Sequence, residues 1–200
     1  MTSNASKSEK ILDVAEALFA ERGFDGVTLR QIAMGADVDV ALASYHFGKK
    51  MDLFRAVLER RAPTLNKARR EALEAAKVAA APEPPEVEAI VEAFLRPLEI
   101  AQETGDAGWA NYLALIAYIN NSPYWGQRMM SALFDELVAE FVAALRESLP
   151  SGRLEDIYWC FNNMSGALPL TLARTGRIDR LSGGLCESTD FRAAYDHMIP

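Results

Sequence analysis

The sequence predicts an all-α protein in which a small N-terminal three-helix unit is followed by a long helix and a C-terminal helical bundle. Half of the 200 residues are hydrophobic, which is enough to bury a core. The longer apolar runs repeat with the period of a helix, and no segment alternates as a strand would. A proline-rich stretch, Val78 to Glu86, precedes a more apolar and aromatic half. We therefore expect units at residues 1–50, 51–77, 78–86 and 87–200.

Local signals delimit the first two helices. The first is expected from about Lys7 to Arg22, where Gly23 can end it with a left-handed backbone. The second is expected from about Leu29 to Ala36. Thr28 and Gln31 have the spacing of a capping box, which fixes its start. The flanking positions of a hydrophobic staple are held by Val27 and Ile32.

A short turn and a third helix come next. Asp37, Val38 and Asp39 form the turn, and Asp39 can cap a helix over about Val40 to Phe47 that ends at Gly48. A long fourth helix is expected from near Lys50 towards Ala76, bent at Pro63. Beyond the linker, periodicity predicts helices at about 86–104, 107–121, 123–148, 153–175 and 188–198, with a loop at Gly176 to Glu187.

Helices two and three have the layout of a helix-turn-helix, whose second helix enters the major groove of DNA. We expect this scaffold to be packed by Ala33, Ala36, Val38, Ala43 and Phe47. The outward positions of helix three are then Val40, Ala41, Leu42, Ser44, Tyr45 and His46. Ser44 could hydrogen-bond a base edge, and the three aliphatic residues could contact thymine methyl groups. Tyr45 and His46 have polar tips that suit phosphate oxygens.

Two basic residues complete this interpretation. Arg30 is the fork-shaped donor that suits guanine, and Lys50 at the start of helix four could hold a phosphate. The net charge of −7 permits DNA binding without favouring it, since residues 1–60 hold 8 basic and 9 acidic residues. Structural alternatives stay open: Tyr45 as a half-buried core tyrosine, His46 as a packing residue, and Lys49 with Lys50 as a solvated helix start.

The N-terminal segment resembles the DNA-binding domain of the TetR family of bacterial transcriptional regulators. The similar residues are ILDVAEALFAERGFDGVTLRQIA and, after the turn, SYHFGKKMDLFRAVL. Further on, ERRAPTLNKARREAL resembles a subgroup with a proline and an asparagine in helix four. The segments ALRESLPSGRLEDIYWCFNNMSGAL and RTGRIDRLSGG are similar to the fatty-acid-regulator-like C-terminal domain of that subgroup.

The resemblance implies a homodimer that binds two half-sites of a palindromic double-stranded DNA operator, usually as a repressor released by a small ligand. By position, Thr28, Tyr45, His46 and Lys50 match phosphate-contacting residues. The base-facing positions of the family are matched by Arg30, Val40, Ala41 and Ser44. The chain departs from the family pattern at Asp37, at Asp39 and at Lys49-Lys50-Met51. The two carboxylates would weaken phosphate binding, although aspartate tolerates the left-handed turn.

The C-terminal half carries the residues of a small-molecule pocket. Its apolar and aromatic stripes are first of all core, but large side chains with few polar tips also suit a ligand site between helices. The expected pocket residues are Trp109, Tyr112, Met129, Phe134, Trp159 and Asn163. With Arg96 and Arg128 at most at the rim, an uncharged or weakly polar hydrophobic ligand is expected.

Small residues in the helix at 153–175 suit close helix packing. Ser165, Gly166 and Ala167 are followed by Pro169, and intramolecular packing would explain them as well as a dimer. The family resemblance favours a dimer face made of this helix and the C-terminal helix. Ligand in the pocket would then shift helix four, with Pro63 setting its bend, and change the spacing of the two recognition helices.

Other classes are less well supported by the sequence. No nucleophile–base pair, metal cluster or glycine-rich phosphate loop stands out, so we expect neither an enzyme nor a cofactor. No apolar run reaches the roughly 20 residues of a membrane span. The polar N-terminus and the two lone cysteines, Cys160 and Cys186, indicate a cytoplasmic bacterial protein. The alternative to a DNA-binding regulator is a helical protein-binding adaptor.

Overall fold

The structure is a computed structural model. It describes residues 6–122 and 125–199, except for the side chains of residues 100–103. These residues form ten α-helices and no strand, which confirms the predicted all-α class. The helices are α1 Lys7–Arg22, α2 Leu29–Gly35, α3 Val40–Phe47, α4 Lys50–Ala80, α5 Val87–Glu103, α6 Ala107–Asn120, α7 Trp125–Ser148, α8 Leu154–Leu172, α9 Arg177–Leu181 and α10 Phe191–Asp196. No helix in this part of the chain is both long and apolar enough to cross a membrane.

The helix starts follow the capping signals of the sequence. The Thr28 hydroxyl accepts a hydrogen bond from the Gln31 N–H at 3.2 Å, and Gln31 Oε1 accepts one from the Thr28 N–H at 2.8 Å. This reciprocal pair is the predicted capping box of α2. Asp39 Oδ1 accepts from the Ala41 N–H at 2.7 Å and caps α3, as expected.

Two predicted boundaries change. The helix α4 continues to Ala80, into the segment taken for linker, and runs without interruption through Pro63. The expected loop at Gly176 to Glu187 contains α9, because Gly176 adopts a left-handed φ of 64° that starts a helical turn. The Asp179 carboxylate then accepts from the Ser188 N–H at 3.0 Å and fixes the return of the chain. The predicted start of α7 at residue 123 lies outside the described residues.

The N-terminal unit has its own core, to which α1, α2, α3 and the start of α4 contribute. Its fully buried side chains are Ile11, Ala15, Phe19, Ile32, Ala33, Ala43, Leu53, Phe54 and Val57. A second set from α4 to α10 fills the C-terminal bundle, and both belong to one continuous hydrophobic cluster. The helix α1 packs on α4 and on α6, so the N-terminal unit rests directly on the bundle.

The long helix α4 links the two halves through polar groups as well as apolar ones. Asn66, which is buried, donates through Nδ2 to the Leu133 carbonyl of α7 at 2.7 Å. One turn further along α4, Arg70 Nε donates to Glu140 Oε1 at 2.8 Å. These contacts hold α7 alongside α4. The two ends of α4 pack in the two different halves of the molecule.

Candidate functional site

The helix α3 presents its predicted outward face to solvent. Val40, Ala41, Ser44, Tyr45 and His46 are all exposed, and Ala43 is the buried anchor of the helix. Tyr45 is 83 % exposed, so it is not the half-buried core tyrosine that the sequence left open. Leu42 departs from the prediction: it is half-buried, because its position faces the scaffold rather than solvent.

The turn before α3 has the strained backbone that the sequence suggested for it. Asp37 has a φ of 54°, in the left-handed region that aspartate tolerates better than most residues. The Val38 N–H donates to the Ala33 carbonyl at 3.0 Å and closes the turn. The two turn carboxylates, Asp37 and Asp39, are exposed beside α3. The turn therefore keeps its fold with aspartate at both positions.

Two predicted DNA contacts lie beside this helix on α2. Arg30 is exposed and stands at the second position of α2. Thr28 is exposed, but its hydroxyl already pairs with Gln31 within the capping box.

Lys50 has a structural role that the sequence did not reveal. Its Nζ donates to the carbonyl oxygens of Phe24 and Val27, both at 2.9 Å, and lies 4.1 Å above the centre of the Phe24 ring. The side chain thus ties the loop between α1 and α2 to the start of α4. An ammonium has three N–H donors, and two of them are used in these hydrogen bonds. The predicted phosphate contact would therefore depend on the third N–H.

A buried ion-pair network joins the N-terminal unit to the bundle. Glu16 on α1 has a side chain only 2 % exposed. Its Oε2 accepts from Arg60 Nη2 at 2.7 Å and from Arg61 Nε at 3.0 Å. Arg61 Nη1 also donates at 2.7 Å to Asp106, which caps α6 through the Gly108 N–H. Arg61 therefore contacts α1 and α6 at the same time from its place on α4.

An aromatic cluster makes a second connection between the halves. Trp125, at the start of α7, lies 5.4 Å from Phe24 and 5.7 Å from Phe54 between ring centres. Tyr118 of α6 packs on Trp125 at 6.1 Å and fills the space beside Gly23. Such contacts stabilise beyond their buried area, since ring edges and faces are electrostatically complementary. The aromatic residues after α1 therefore belong to the junction between the two halves as well as to the N-terminal core.

The C-terminal bundle encloses an apolar cavity of about 90 Å³. Its wall comes from five helices: Leu65 and Arg69 of α4, Phe94 and Leu98 of α5, Leu113, Ile116, Ala117 and Asn120 of α6, Met130, Phe134 and Val138 of α7, and Ser165, Leu168, Pro169 and Leu172 of α8. Small-molecule sites usually measure about 300–1,000 Å³, so a ligand must be small or must displace flexible side chains such as Met130.

The six predicted pocket residues do not share one cavity. Phe134 lines it, whereas Trp109, Tyr112 and Met129 are buried or half-buried elsewhere in the bundle. Trp159 and Asn163 lie outside on α8, where Trp159 is 60 % exposed. The physical reason is the period of the helix. Ile157, Phe161 and Leu168 point inward, whereas the two predicted positions lie on the other side of α8 and face solvent.

Arg69 is the functional candidate that the sequence reasoning missed. It is 5 % exposed and lines the cavity, and its Nε donates to the Phe94 carbonyl at 2.9 Å. Burial lowers the pKa of its guanidinium to about 10. A signal was present, since Arg69 stands four residues from both Leu65 and Leu73 on the buried stripe of α4. Of the two arginines expected at the rim, Arg96 pairs with Glu99 and Asp196.

A strip of large side chains lies exposed on α8 and the segment after it. Its members are Leu154, Tyr158, Trp159, Leu170, Ile178, Leu181 and Leu185. Ser165, Gly166 and Ala167 interrupt the strip with small side chains, and a Cβ added at Gly166 would contact nothing within 4 Å of the protomer. Several large apolar side chains exposed on one part of a protein are typical of interaction sites.

Comparison with protein families matches both halves of the chain. Residues 11–57 match the model described as bacterial regulatory proteins, tetR family. Residues 92–200 match the model described as tetracyclin repressor-like, C-terminal domain, and so cover more than half of the chain.

Curated relatives match about a quarter of the chain. The biofilm operon icaADBC HTH-type negative transcriptional regulator IcaR of Staphylococcus epidermidis is 37% identical over 51 residues, 26% of this chain and 28% of that protein. The probable HTH-type transcriptional regulator YttP of Bacillus subtilis is 47% identical over 45 residues, 22% of each chain. The matched region therefore spans about a quarter of the length of these relatives.

A solved structure extends the likeness to the whole fold. The fatty acid degradation regulator FadR of Bacillus halodurans superposes with a TM-score of 0.65 at 14% identity, covering 99% of this chain and 97% of that one. At this identity the likeness concerns the fold alone. The solved structure therefore shares the fold along the whole chain. The two family models show that the chain belongs to the TetR family of bacterial regulatory proteins.

Proposed function

We propose that the protein is a homodimeric, ligand-responsive repressor that binds a palindromic DNA operator through α3. The observation that carries this proposal is the exposed face of α3, where Ser44 and Tyr45 project from a helix anchored by Ala43. A surface helix of this size, presented by a capped scaffold, fits the major groove. Ser44 and Arg30 would read base edges, with Val40 and Ala41 against thymine methyl groups. Thr28, Tyr45 and His46 would contact phosphates.

The exposed strip on α8 supports dimerisation with a second copy of the chain. An isologous interface needs one self-complementary patch. On α8, large exposed side chains of one copy could pack into the space left by the small residues Ser165–Ala167 of the other copy. Dimerisation would place two copies of α3 on one side of the DNA, roughly 34–36 Å apart. Since operator DNA is the partner, the protein would act in the bacterial cytoplasm.

The same two helices line the cavity and hold the N-terminal unit, which supports coupling between a ligand and DNA. Leu65 and Arg69 of α4, with Ile116 of α6, contribute to the cavity wall. Arg61 of α4 donates both to Glu16 of α1 and to Asp106, the cap of α6. A ligand that separates α4 from α6 would therefore move α1 and, with it, α3. A ligand shifts the equilibrium only by its differential affinity for the two arrangements.

A gel-shift assay with the DNA upstream of the protein's own gene tests the proposal. We expect sequence-selective binding by the dimer, with weaker binding as salt rises because phosphate contacts release counterions. Failure to discriminate this DNA from a scrambled duplex at low salt and without ligand would contradict it. A protein-binding adaptor, the second candidate, would keep its partner after Tyr45→Ala, whereas a DNA regulator would lose its operator.

A further inference from the structure

Arg69 is a buried charge without a counter-ion among the described residues. Arg69 lines the cavity, and no described carboxylate lies within 4.0 Å of its guanidinium. The polar contact recorded for it runs from Nε to the Phe94 carbonyl, with the Phe94 ring 3.9 Å from the guanidinium carbon. A buried guanidinium that has only a carbonyl and a ring face as partners is costly unless an anion joins it.

The two buried tyrosines of this bundle do not supply the missing negative charge. Tyr112 and Tyr195 are fully buried, and neither hydroxyl oxygen has a hydrogen-bond partner among the described residues. Neither residue lines the cavity. Burial raises the pKa of each phenol, so both stay protonated and uncharged at neutral pH.

The remainder of the cavity is apolar and small. Apart from Arg69, Asn120 and Ser165, its wall is made of aliphatic and aromatic side chains and Pro169. A cavity of about 90 Å³ cannot hold a long-chain molecule without a large rearrangement. The cavity thus combines one cationic end with an apolar body of limited size.

We infer that this cavity binds a small amphipathic carboxylic acid, with its carboxylate on Arg69 and its aryl or short acyl group against the apolar wall. The planar guanidinium suits a carboxylate through two parallel hydrogen bonds. This assignment rests on the proposed function only because it treats the cavity as an effector site. It differs from the uncharged or weakly polar ligand that the sequence predicts.

Two matched pairs of probes test the assignment by isothermal titration calorimetry on the full-length protein without DNA. The acids are phenylacetate and hexanoate, and the controls are phenylacetamide and hexanamide, which have the same shape without the charge. We expect each acid to bind at least about tenfold more tightly than its amide, because a charge-assisted pair is lost in the amide. Equal affinities within each pair would overturn the assignment, as would no saturable binding of either acid at about millimolar concentration.

Substitutions of the cationic end identify the site. Arg69→Met keeps an unbranched apolar side chain without the charge and should abolish the preference for acid over amide. Arg69→Lys keeps a positive charge without the planar fork and should bind the acids several-fold more weakly than the wild type does, which keeps the test valid if Arg69→Met does not fold. The control is Arg70→Met, because Arg70 stands next to Arg69 but pairs with Glu140 outside the cavity. An acid preference that survives Arg69→Met in folded protein would overturn the inference.

Adding the acid to a protein–operator complex separates this inference from the proposed function. If the acid binds the free protein with the expected preference but leaves the DNA complex intact, the cavity assignment holds and the effector role fails. If the protein binds its operator but neither acid binds the cavity, the inference fails and the DNA-binding function stands.

Discussion

Gly108 abuts Arg61 so closely that a Cβ atom at residue 108 would lie 1.8 Å from Arg61 Nη2 and 2.6 Å from Glu16 Oε1. The absence of a side chain at the second position of α6 therefore lets a buried ion-pair network form between three helices. Arg61 also lies 5.0 Å from the centre of the Trp109 ring, the next residue along α6. This junction is the polar link between the N-terminal unit and the helices around the cavity.

We predict that Gly108→Ala destabilises the protein, although alanine is the better helix former. The new Cβ would push the Arg61 guanidinium away from Glu16 and Asp106, and the loss of one buried charged contact costs about 1–2 kcal/mol. For a chain of this size that corresponds to a fall in Tm of roughly 2–8 °C. Thermal unfolding followed by circular dichroism measures the change. A Tm equal to or above that of the wild type would show that the network contributes nothing.

Gly166→Ala is the matched control for that substitution. Gly166 is also a helical glycine, but a Cβ there contacts nothing within 4 Å in the protomer. Helix propensity should then stabilise the variant by about 0.5–1 kcal/mol. Sedimentation analysis of the same sample checks that the oligomeric state is unchanged, since Gly166 lies in the exposed strip of α8.

The stability of the junction should depend on pH through Asp106. The hydrogen bond from Arg61, with that from the Gly108 N–H, lowers the pKa of the Asp106 carboxyl below its ordinary 3.8. A lowered folded-state pKa contributes stability above the unfolded-state pKa, and this contribution is lost as the pH falls through the folded-state value. We predict that Asp106→Asn lowers Tm at neutral pH and that its difference from the wild type shrinks below about pH 4. A difference that is constant between neutral and acidic pH would contradict this role.

Tyr45→Ala should abolish high-affinity operator binding without unfolding the protein. Tyr45 is 83 % exposed, so its removal leaves the core intact and Tm unchanged within about 1 °C. Gel shifts should show affinity lowered by about tenfold or more, as expected for loss of a phosphate contact made twice in a dimer. Val78→Ala, an exposed substitution near the end of α4, is the control and should bind like the wild type.

Lys50→Ala is expected to act mainly through stability. Removing the ammonium leaves the carbonyls of Phe24 and Val27 without their donor, and hydrogen bonds to a charged group contribute about 1.5–3 kcal/mol each when buried. Because Lys50 is half-buried, we predict a total cost of about 1–3 kcal/mol. Urea unfolding measures this cost. Wild-type stability combined with lost DNA binding would instead show that Lys50 serves mainly as a phosphate contact.

Trp159→Glu should convert the dimer to monomers. Trp159 is 60 % exposed in the protomer, so the substitution costs little inside the fold but places a charge in the proposed interface. Sedimentation velocity should show half the mass of the wild type at the same concentration. Tyr45→Ala serves as the control with an intact dimer. A wild-type mass for Trp159→Glu would place the dimer interface on another surface.

The sequence by itself determined the local structure of the N-terminal unit. The capping box at Thr28, the Asp39 cap and the left-handed Asp37 are short-range features, because each depends on residues within four positions of one another. The outward positions of α3 follow from helical period once Ala43 is recognised as the anchor. The family resemblance is also strongest in the N-terminal unit, because these local features are part of the motif that carries it.

Tertiary structure alone decided the pairings between distant segments. Lys50 appears in the sequence as a free cation, yet its partners lie 23 and 26 residues away. Glu16 meets Arg61 across 45 residues, and no spacing rule connects them. Trp159 was expected in a pocket because it is large and apolar, but which side of α8 faces inward depends on how the helix packs against α6 and α7.

Arg69 lies between these two cases. Its place on the apolar stripe of α4 is visible in the sequence as a charge spaced four residues from leucines on both sides. Whether such a charge reaches water, finds a carboxylate or lines a cavity depends on neighbours from four other helices. The sequence therefore determined the helices of the N-terminal unit and the exposed face of α3, since these depend on local capping and helical period. The cavity and the junction depend on long-range packing, which only the folded structure specifies.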